Sequence, residues 1–251
     1  MPPAVLNMPP ILTSSQLADL NRRFETAATQ DILSWAWETY GQRAAIGTSF
    51  QGAGIVMMHL AKEHKLPLPL FTLDTGLLFP ETLDLKKRLE DFLGVQIESL
   101  VPEHTVEEQA RLKGSELWKR DPDACCTLRK VEPLQKKLQN LDCWITGLRR
   151  EQSKTRASVN IVEIFEFDPL LNREIVKLNP MANWSRERVW NYIKQNKIPY
   201  NPLHDQGYRS IGCVPCTRKT SEGGDERAGR WTGFNKTECG IHTFMKKKDS
   251  Q

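Results

Sequence analysis

Leu17, Leu20 and Phe24 recur at helical spacing behind Thr13, which forms a capping box with Gln16, so the chain is expected to open on a helix. A second helix is expected from Asp31 to about Tyr40, with Thr29 as a candidate N-cap. Then the pattern changes. Short apolar runs at 43–50, 68–73, 95–100, 143–147 and 161–167 read as strands. Amphipathic stretches at 53–64, 80–94, 106–112 and 128–138 read as helices, and Pro80 and Gly94 suit the first and closing positions of theirs. One more helix is expected at 185–195, capped by Ser185. Strands alternating with helices predict an α/β fold, a mainly parallel sheet with helices on both faces. From Pro199 the periodicity fades into an irregular tail rich in Gly, Pro, Arg and Cys, too long for an idle connection and expected to be functional or held by a cofactor. The chain is therefore read as an N-terminal helical segment (1–40), an α/β domain (41–198) and a C-terminal segment (199–251).

Composition narrows the function classes. At 251 residues the chain can bury a real core, and 39% hydrophobic with 26% charged residues excludes both a disordered chain and a membrane protein. The first six residues show no basic stretch followed by a long apolar one, so no secretory signal is expected and a cytoplasmic protein is. A net charge of +4 suits an anionic small molecule better than a nucleic-acid track. Six cysteines in such a chain point to metal ligands or reactive thiols rather than to a disulfide scaffold.

Candidate chemistry gathers at strand ends and in the tail. Thr48-Ser49-Phe50-Gln51-Gly52-Ala53-Gly54 joins a strand to a helix, where backbone N–H groups can face an anion; an ordinary βα turn would look similar. Leu73-Asp74-Thr75-Gly76 lies at the carboxyl end of the next strand, the side on which open α/β sheets bind ligands. Cys125-Cys126 and Cys213-Val214-Pro215-Cys216 supply four thiols in polar, turn-rich settings. Adjacent cysteines at a helix start diverge, which suits a larger iron–sulfur unit, while zinc and a redox dithiol stay open. Cys143 lies in an apolar strand and reads as core. Cys239 stands apart in Lys236-Thr237-Glu238-Cys239-Gly240-Ile241-His242, where positive neighbours favour the nucleophilic thiolate form. Arg149, Arg150, Lys154 and Arg156 after one strand, with Arg227 and Arg230 in the tail, read together as an anion clamp.

In order and in wording, Ser-Phe-Gln-Gly, Leu-Asp-Thr-Gly, Cys-Cys-Thr-Leu-Arg-Lys-Val, Thr-Gly-Leu-Arg-Arg-Glu-Gln-Ser, Gly-Cys-Val-Pro-Cys-Thr-Arg and the terminal Glu-Cys-Gly-Ile-His resemble the assimilatory sulfonucleotide reductases, in particular those of the iron–sulfur, adenylyl-sulfate (APS) type. The resemblance spans about residues 40–244. It implies an adenine nucleotide α-hydrolase-like fold related to the ATP pyrophosphatases, with 41–198 as the nucleotide-binding domain. It also implies reduction of APS to sulfite and AMP with thioredoxin as electron donor.

Carried over by position, the resemblance makes Cys239 the nucleophile and Cys125, Cys126, Cys213 and Cys216 the ligands of a [4Fe–4S] cluster. Lys130, Arg227, Arg230 and His242 would contact the phosphosulfate end, and Arg149 of the clamp is expected to bind substrate as well; Ser49, Phe50, Gln51 and Gly52 would form the nucleotide loop, with Leu73 and Asp74 near adenine and ribose. The Ser-Gly-Gly-x-Asp-Ser pattern of the pyrophosphatases is absent from that loop, so ATP cleavage is not expected. The expected chemistry is attack of Cys239 on the sulfate sulfur, a thiosulfonate, and its release by a thiol from another protein. A PAPS-specific reductase, a zinc-stabilised nucleic-acid-binding protein and a tRNA-modifying relative are the rivals. Neither nucleic acid nor membrane is expected as a partner, and a homo-oligomer stays open.

Overall fold

The computed structural model describes residues 12–168, 173–220 and 225–248, so the reading of the first six residues lies outside the described part. Two helices lead in, α1 (Ser14–Phe24) and α2 (Thr29–Tyr40). The reciprocal capping box of Thr13 and Gln16 forms as expected. Thr29 does not cap α2: Ala28 occupies the N-cap, and the Thr29 hydroxyl turns away to donate to the Pro180 carbonyl at 3.4 Å.

The body then runs β1 (Ala44–Thr48), α3 (Gly52–Glu63), β2 (Leu70–Leu73), α4 (Pro80–Leu93), β3 (Glu98–Leu100), α5 (Val106–Lys113), α6 (Leu117–Arg120), α7 (Pro122–Cys126), α8 (Glu132–Leu138), β4 (Cys143–Thr146), β5 (Val162–Asp168), β6 (Arg173–Leu178) and α9 (Arg186–Gln195). A last two-residue strand, β7 (Lys246–Lys247), closes the described chain. Sheet order is β3-β2-β1-β4-β6-β5-β7. The first five are parallel; β5 pairs antiparallel with β6, and β7 pairs antiparallel with β5. The order reverses between β1 and β4, and ligands of open α/β sheets bind beyond the strand ends at such a point.

Alternation along each strand sends side chains to two separate cores. Ala44, Ile46, Cys143, Ile145, Val162, Ile164, Val176 and Leu178 join the larger one, under α1, α2, α3, α4 and α9. Ala45, Trp144, Phe165 and Ile175 face the opposite side, where Leu134 and Leu138 of α8 cover them with Met245 from the tail. Each fully buried Val, Leu, Ile, Phe or Met side chain among them contributes about 1.5–3 kcal/mol. Part of the irregular tail is thus bound into the second core: Ile241 and Phe244 pack on it beside Met245.

Strand β6 escaped the sequence reading because its Lys177 is buried inside the sheet. The ammonium lies 5.0 Å from the Phe165 ring and 5.6 Å from the Trp144 ring, with the Glu163 carboxylate at 3.9 Å. The expected helix at 128–138 likewise starts differently: residues Thr127–Val131 form a π-helical turn joining α7 to α8. Such turns mark local insertions and recur at functional sites; this one carries Lys130.

Candidate active site

The carboxyl ends of β1, β2 and β4 open into one cavity. The Thr48 hydroxyl accepts the Phe50 N–H at 3.0 Å, and Phe50 takes a left-handed φ of 55° that drives its ring into the larger core. Phe50 therefore contributes a bend in the backbone and does not line the cavity. Ser49, Gln51 and Gly52 do. Gln51 is tied to the tail by a reciprocal pair with the Ile211 backbone, 3.1 Å to its carbonyl and 3.2 Å from its N–H. Gly52 is needed for packing: a Cβ there would sit 2.7 Å from the Val189 side chain. Leu73 lines the cavity, whereas the Asp74 carboxylate accepts the Gly76 N–H at 3.0 Å and caps its own turn. Asp74, expected near the ribose, is not itself part of the cavity lining.

Cys239 is 8% exposed and shares the cavity with Lys130, Arg149, Arg156, Arg227, Arg230 and His242. These cations are held in unlike ways. Arg149 makes a bidentate pair with Glu226 at 2.8 and 2.9 Å and reaches the Trp184 carbonyl at 3.3 Å, so its charge is already met. Arg156 pairs with Glu238 at 2.7 and 2.8 Å, and Arg227 approaches the same carboxylate at 3.3 Å. Burial alone would raise the Glu238 carboxyl, but the Arg156 hydrogen bond and the two guanidinium charges hold it below its usual range. Burial, with Arg156 close by, pushes Arg227 down to about 10. Arg230 has no carboxylate partner among the described residues; it donates only to the Cys216 carbonyl at 3.3 Å and the Ser210 hydroxyl at 3.4 Å. Burial alone would lower the Lys130 ammonium, but the sulfurs of Cys213, Cys239 and Cys126 around it hold it above its ordinary value.

His242 stacks on Trp144 with ring centres 5.5 Å apart. Burial keeps its imidazole well below the usual histidine range, with Lys177, Arg156 and Arg227 adding to the effect, so it is neutral at neutral pH. Buried Trp144 Nε1, Arg149 Nε, Arg227 Nε, His204 Nε2 and His242 Nδ1 have no hydrogen-bond partner among the described residues, and all five side chains line the cavity. Each such atom costs about 1–3 kcal/mol if left unmet. That concentration is what a polar, anionic ligand would relieve.

Beside this cavity lies a second, small and enclosed, lined by Cys125, Cys126, Cys213 and Cys216 together with Arg129 and Lys130. Lys130 and Cys213 line both. All four thiols are free of disulfides. The Asp121 carboxylate caps α7 and so aims the Cys125-Cys126 end of that helix, while Cys213 is fixed by the Thr75 hydroxyl at 3.3 Å and by bridging to Leu78. Burial and the neighbouring sulfurs push Cys125 up to about 12. Burial also pushes Cys126 to about 11, although Lys130 opposes it. Among the described residues no three His, Cys, Asp or Glu side chains are grouped as they would be around a single metal ion. Cys143 is elsewhere, wholly buried in the larger core.

The sequence pattern of the phosphoadenosine phosphosulfate reductase domain matches residues 43–219. The chain belongs to the phosphoadenosine phosphosulfate reductase family. It is an oxidoreductase of the kind that acts on sulfur. It is 44% identical over 238 residues to the adenosine 5′-phosphosulfate reductase of Salinibacter ruber, covering 94% of this chain and 92% of that one. Among solved structures it is similar to the phosphoadenylyl-sulfate reductase of Candida auris, a phosphate complex, with TM-score 0.74 and 29% identity over 84% of this chain and all of that one. The FMN adenylyltransferase of Candida glabrata shares the fold alone, with TM-score 0.52 at 12% identity, over 88% of this chain and 76% of that one. The adenine nucleotide α-hydrolase-like architecture expected from the sequence is the one found. Two groups that position the reductase site were not read from the sequence: Glu226 and Glu238. Both are acids standing directly before a candidate residue in a basic tail, Arg227 and Cys239 respectively.

Proposed function

We propose that this chain reduces adenylyl sulfate to sulfite and AMP in sulfate assimilation, with Cys239 as nucleophile and reduced thioredoxin as electron donor. The observation that carries the reading is the shared cavity, in which Cys239 stands among Lys130, Arg227 and Arg230 beside unmet buried polar atoms. The adenosine 5′-phosphosulfate reductases among its relatives support APS as the substrate. The rival is PAPS, which the Candida auris relative is named for. Turnover on APS and PAPS at equal concentration decides between them: a clear preference for APS is expected, and equal or better use of PAPS contradicts the reading.

In the first step the Cys239 thiolate forms a bond to the sulfate sulfur as the bond from that sulfur to the bridging oxygen breaks. AMP leaves with the electron pair, and Cys239 carries a thiosulfonate. Lys130, Arg227 and Arg230 neutralise the charge moving onto the phosphate. In the second step a thioredoxin thiolate attacks Cys239 Sγ, sulfite leaves, and a mixed disulfide forms; the second thioredoxin thiol resolves it and restores Cys239. Thioredoxin is oxidised by two electrons and the substrate sulfur is reduced by two, so the balance closes with no further donor.

Cys125, Cys126, Cys213 and Cys216 fit an all-cysteine [4Fe–4S] cluster in their chemistry: four free thiols from two distant segments line one closed cavity. When bound, the cluster supplies charge and rigidity next to Lys130. Lys130 and Cys213 connect that cavity to the substrate cavity, because both residues line the two.

Arg230 is a cavity cation whose charge no carboxylate meets among the described residues, so its loss should be felt in the transition state. Losing such a contact costs on the order of 2–4 kcal/mol. Arg230→Ala is expected to lower kcat/KM for APS by roughly 10²-fold or more. Wild-type kinetics would show that the residue only decorates the cavity wall.

A further inference from the structure

Trp231, next to Arg230, is 2% exposed and sits at a left-handed φ of 49°. A bulky side chain seldom tolerates that conformation, and strain of this kind persists where surrounding structure makes use of it. The residue gives up a second source of stability as well. Its indole N–H is buried and has no partner among the described residues, although a buried tryptophan normally finds one. The ring is therefore held for its faces and not for its polar edge. Around it stand three cations: the Arg230 guanidinium 4.7 Å from the ring centre, that of Arg227 at 5.3 Å and the Lys236 ammonium at 5.5 Å. All are within the distance at which the ring quadrupole attracts a cation. The Trp231 backbone N–H donates to the Cys216 carbonyl at 3.2 Å, which ties the residue to the segment bearing Cys213 and Cys216.

We infer that Trp231 is a positioning residue that holds Arg230 at the substrate cavity without neutralising it. A carboxylate would also hold a guanidinium, as Glu226 holds Arg149, but it would cancel the charge that an anionic substrate must meet. An aromatic face orients the cation and leaves its charge to the ligand. Arg230 depends on this most, since its two hydrogen bonds, at 3.3 and 3.4 Å, are long. Lys236 and Arg227 have carboxylate partners as well, Asp123 and Glu238 respectively. The inference rests on the proposed function, in which Arg230 faces the phosphosulfate.

The test is kcat/KM for APS in Trp231→Leu, Arg230→Ala and the double variant, together with site-specific mono-, di- and trifluorinated tryptophan at position 231. Fluorination keeps the shape and burial of the ring and weakens its π face, so the fluorinated series reads the ring's electrostatics with folding preserved. Trp231→Leu is expected to lose roughly 10–50-fold, and the double variant should be no worse than Arg230→Ala alone. Activity should fall stepwise with each added fluorine. With Arg230→Ala impaired, a flat fluorine series or a double variant equal to the product of the two singles overturns this inference alone. Wild-type activity in Arg230→Ala overturns the clamp of the proposed function and this inference with it.

Discussion

Replacing Cys239 by serine is expected to stop sulfite formation while AMP binding survives. Cys239 is the one cysteine in the substrate cavity that does not also line the cysteine-lined one: Cys213 lines both, Cys125, Cys126 and Cys216 line the smaller, and Cys143 is enclosed in the core. Serine keeps the volume and the backbone turn at Gly240–His242. What it removes is the nucleophile, because a neutral hydroxyl without an adjacent base attacks sulfur far more slowly than a thiolate. Turnover should fall by on the order of 10⁴-fold or more. Calorimetric titration with AMP should give nearly wild-type affinity, since the Ser49 loop and the cations are untouched. A serine variant that still releases sulfite at a tenth of the wild-type rate would remove Cys239 from the chemistry.

Cys213→Ser is expected to have the second largest effect, and its signature is not confined to activity. Cys213 lines both cavities, bonds to the Thr75 hydroxyl at 3.3 Å, and sits in the bridge to Leu78 that ties the tail to the body. In the proposed cluster it is one of four ligands, and metal binding and folding are then linked. The variant should lose visible absorbance, iron and acid-labile sulfide. It should be cut by protease within the tail much faster than wild type, and its turnover should fall by roughly 10²-fold or more. A coloured, iron-replete and fully active Cys213→Ser protein would end the cluster proposal.

Nucleophile access sets a further requirement on the tail. At 8% exposure Cys239 cannot present a thiosulfonate to a protein thiol. Its segment is fastened by Glu238 to Arg156, by Lys236 to Asp123, and by β7 to the sheet edge at Phe165 and Glu166. The first two are ion pairs, which open at less cost than the core packing of Ile241, Phe244 and Met245 just beyond. Release of the first two would expose the sulfur while β7 keeps the chain end attached.

Much of this site could be read from the sequence because local rules decided it. The Thr13–Gln16 box, Pro80 opening α4 and Gly94 closing it in a left-handed conformation each depend on neighbours within a turn. Strand ends carrying Ser49, Leu73 and Arg149 followed from alternation of strand and helix. What local rules could not give was the direction of side chains and the identity of distant partners. Phe50 and Asp74 occupy the right loops yet turn to the core and to their own backbone. Arg149 looked like a free clamp residue because Glu226, 77 positions away, is invisible to it in sequence. Lys177 hid a central strand, since a buried lysine held by two aromatic rings and Glu163 breaks the apolar pattern that marks one. The strained Trp231 backbone likewise has no signal in composition or spacing.

The central claim is a covalent intermediate on one named sulfur, and peptide mass analysis after exposure to APS in the absence of any thiol reductant tests it most directly. The account predicts one SO₃ group added to the peptide bearing Cys239, with one AMP released per chain and loss of the adduct as sulfite when reduced thioredoxin is supplied. An adduct on any other cysteine, or sulfite made while Cys239 remains unmodified throughout, would contradict it.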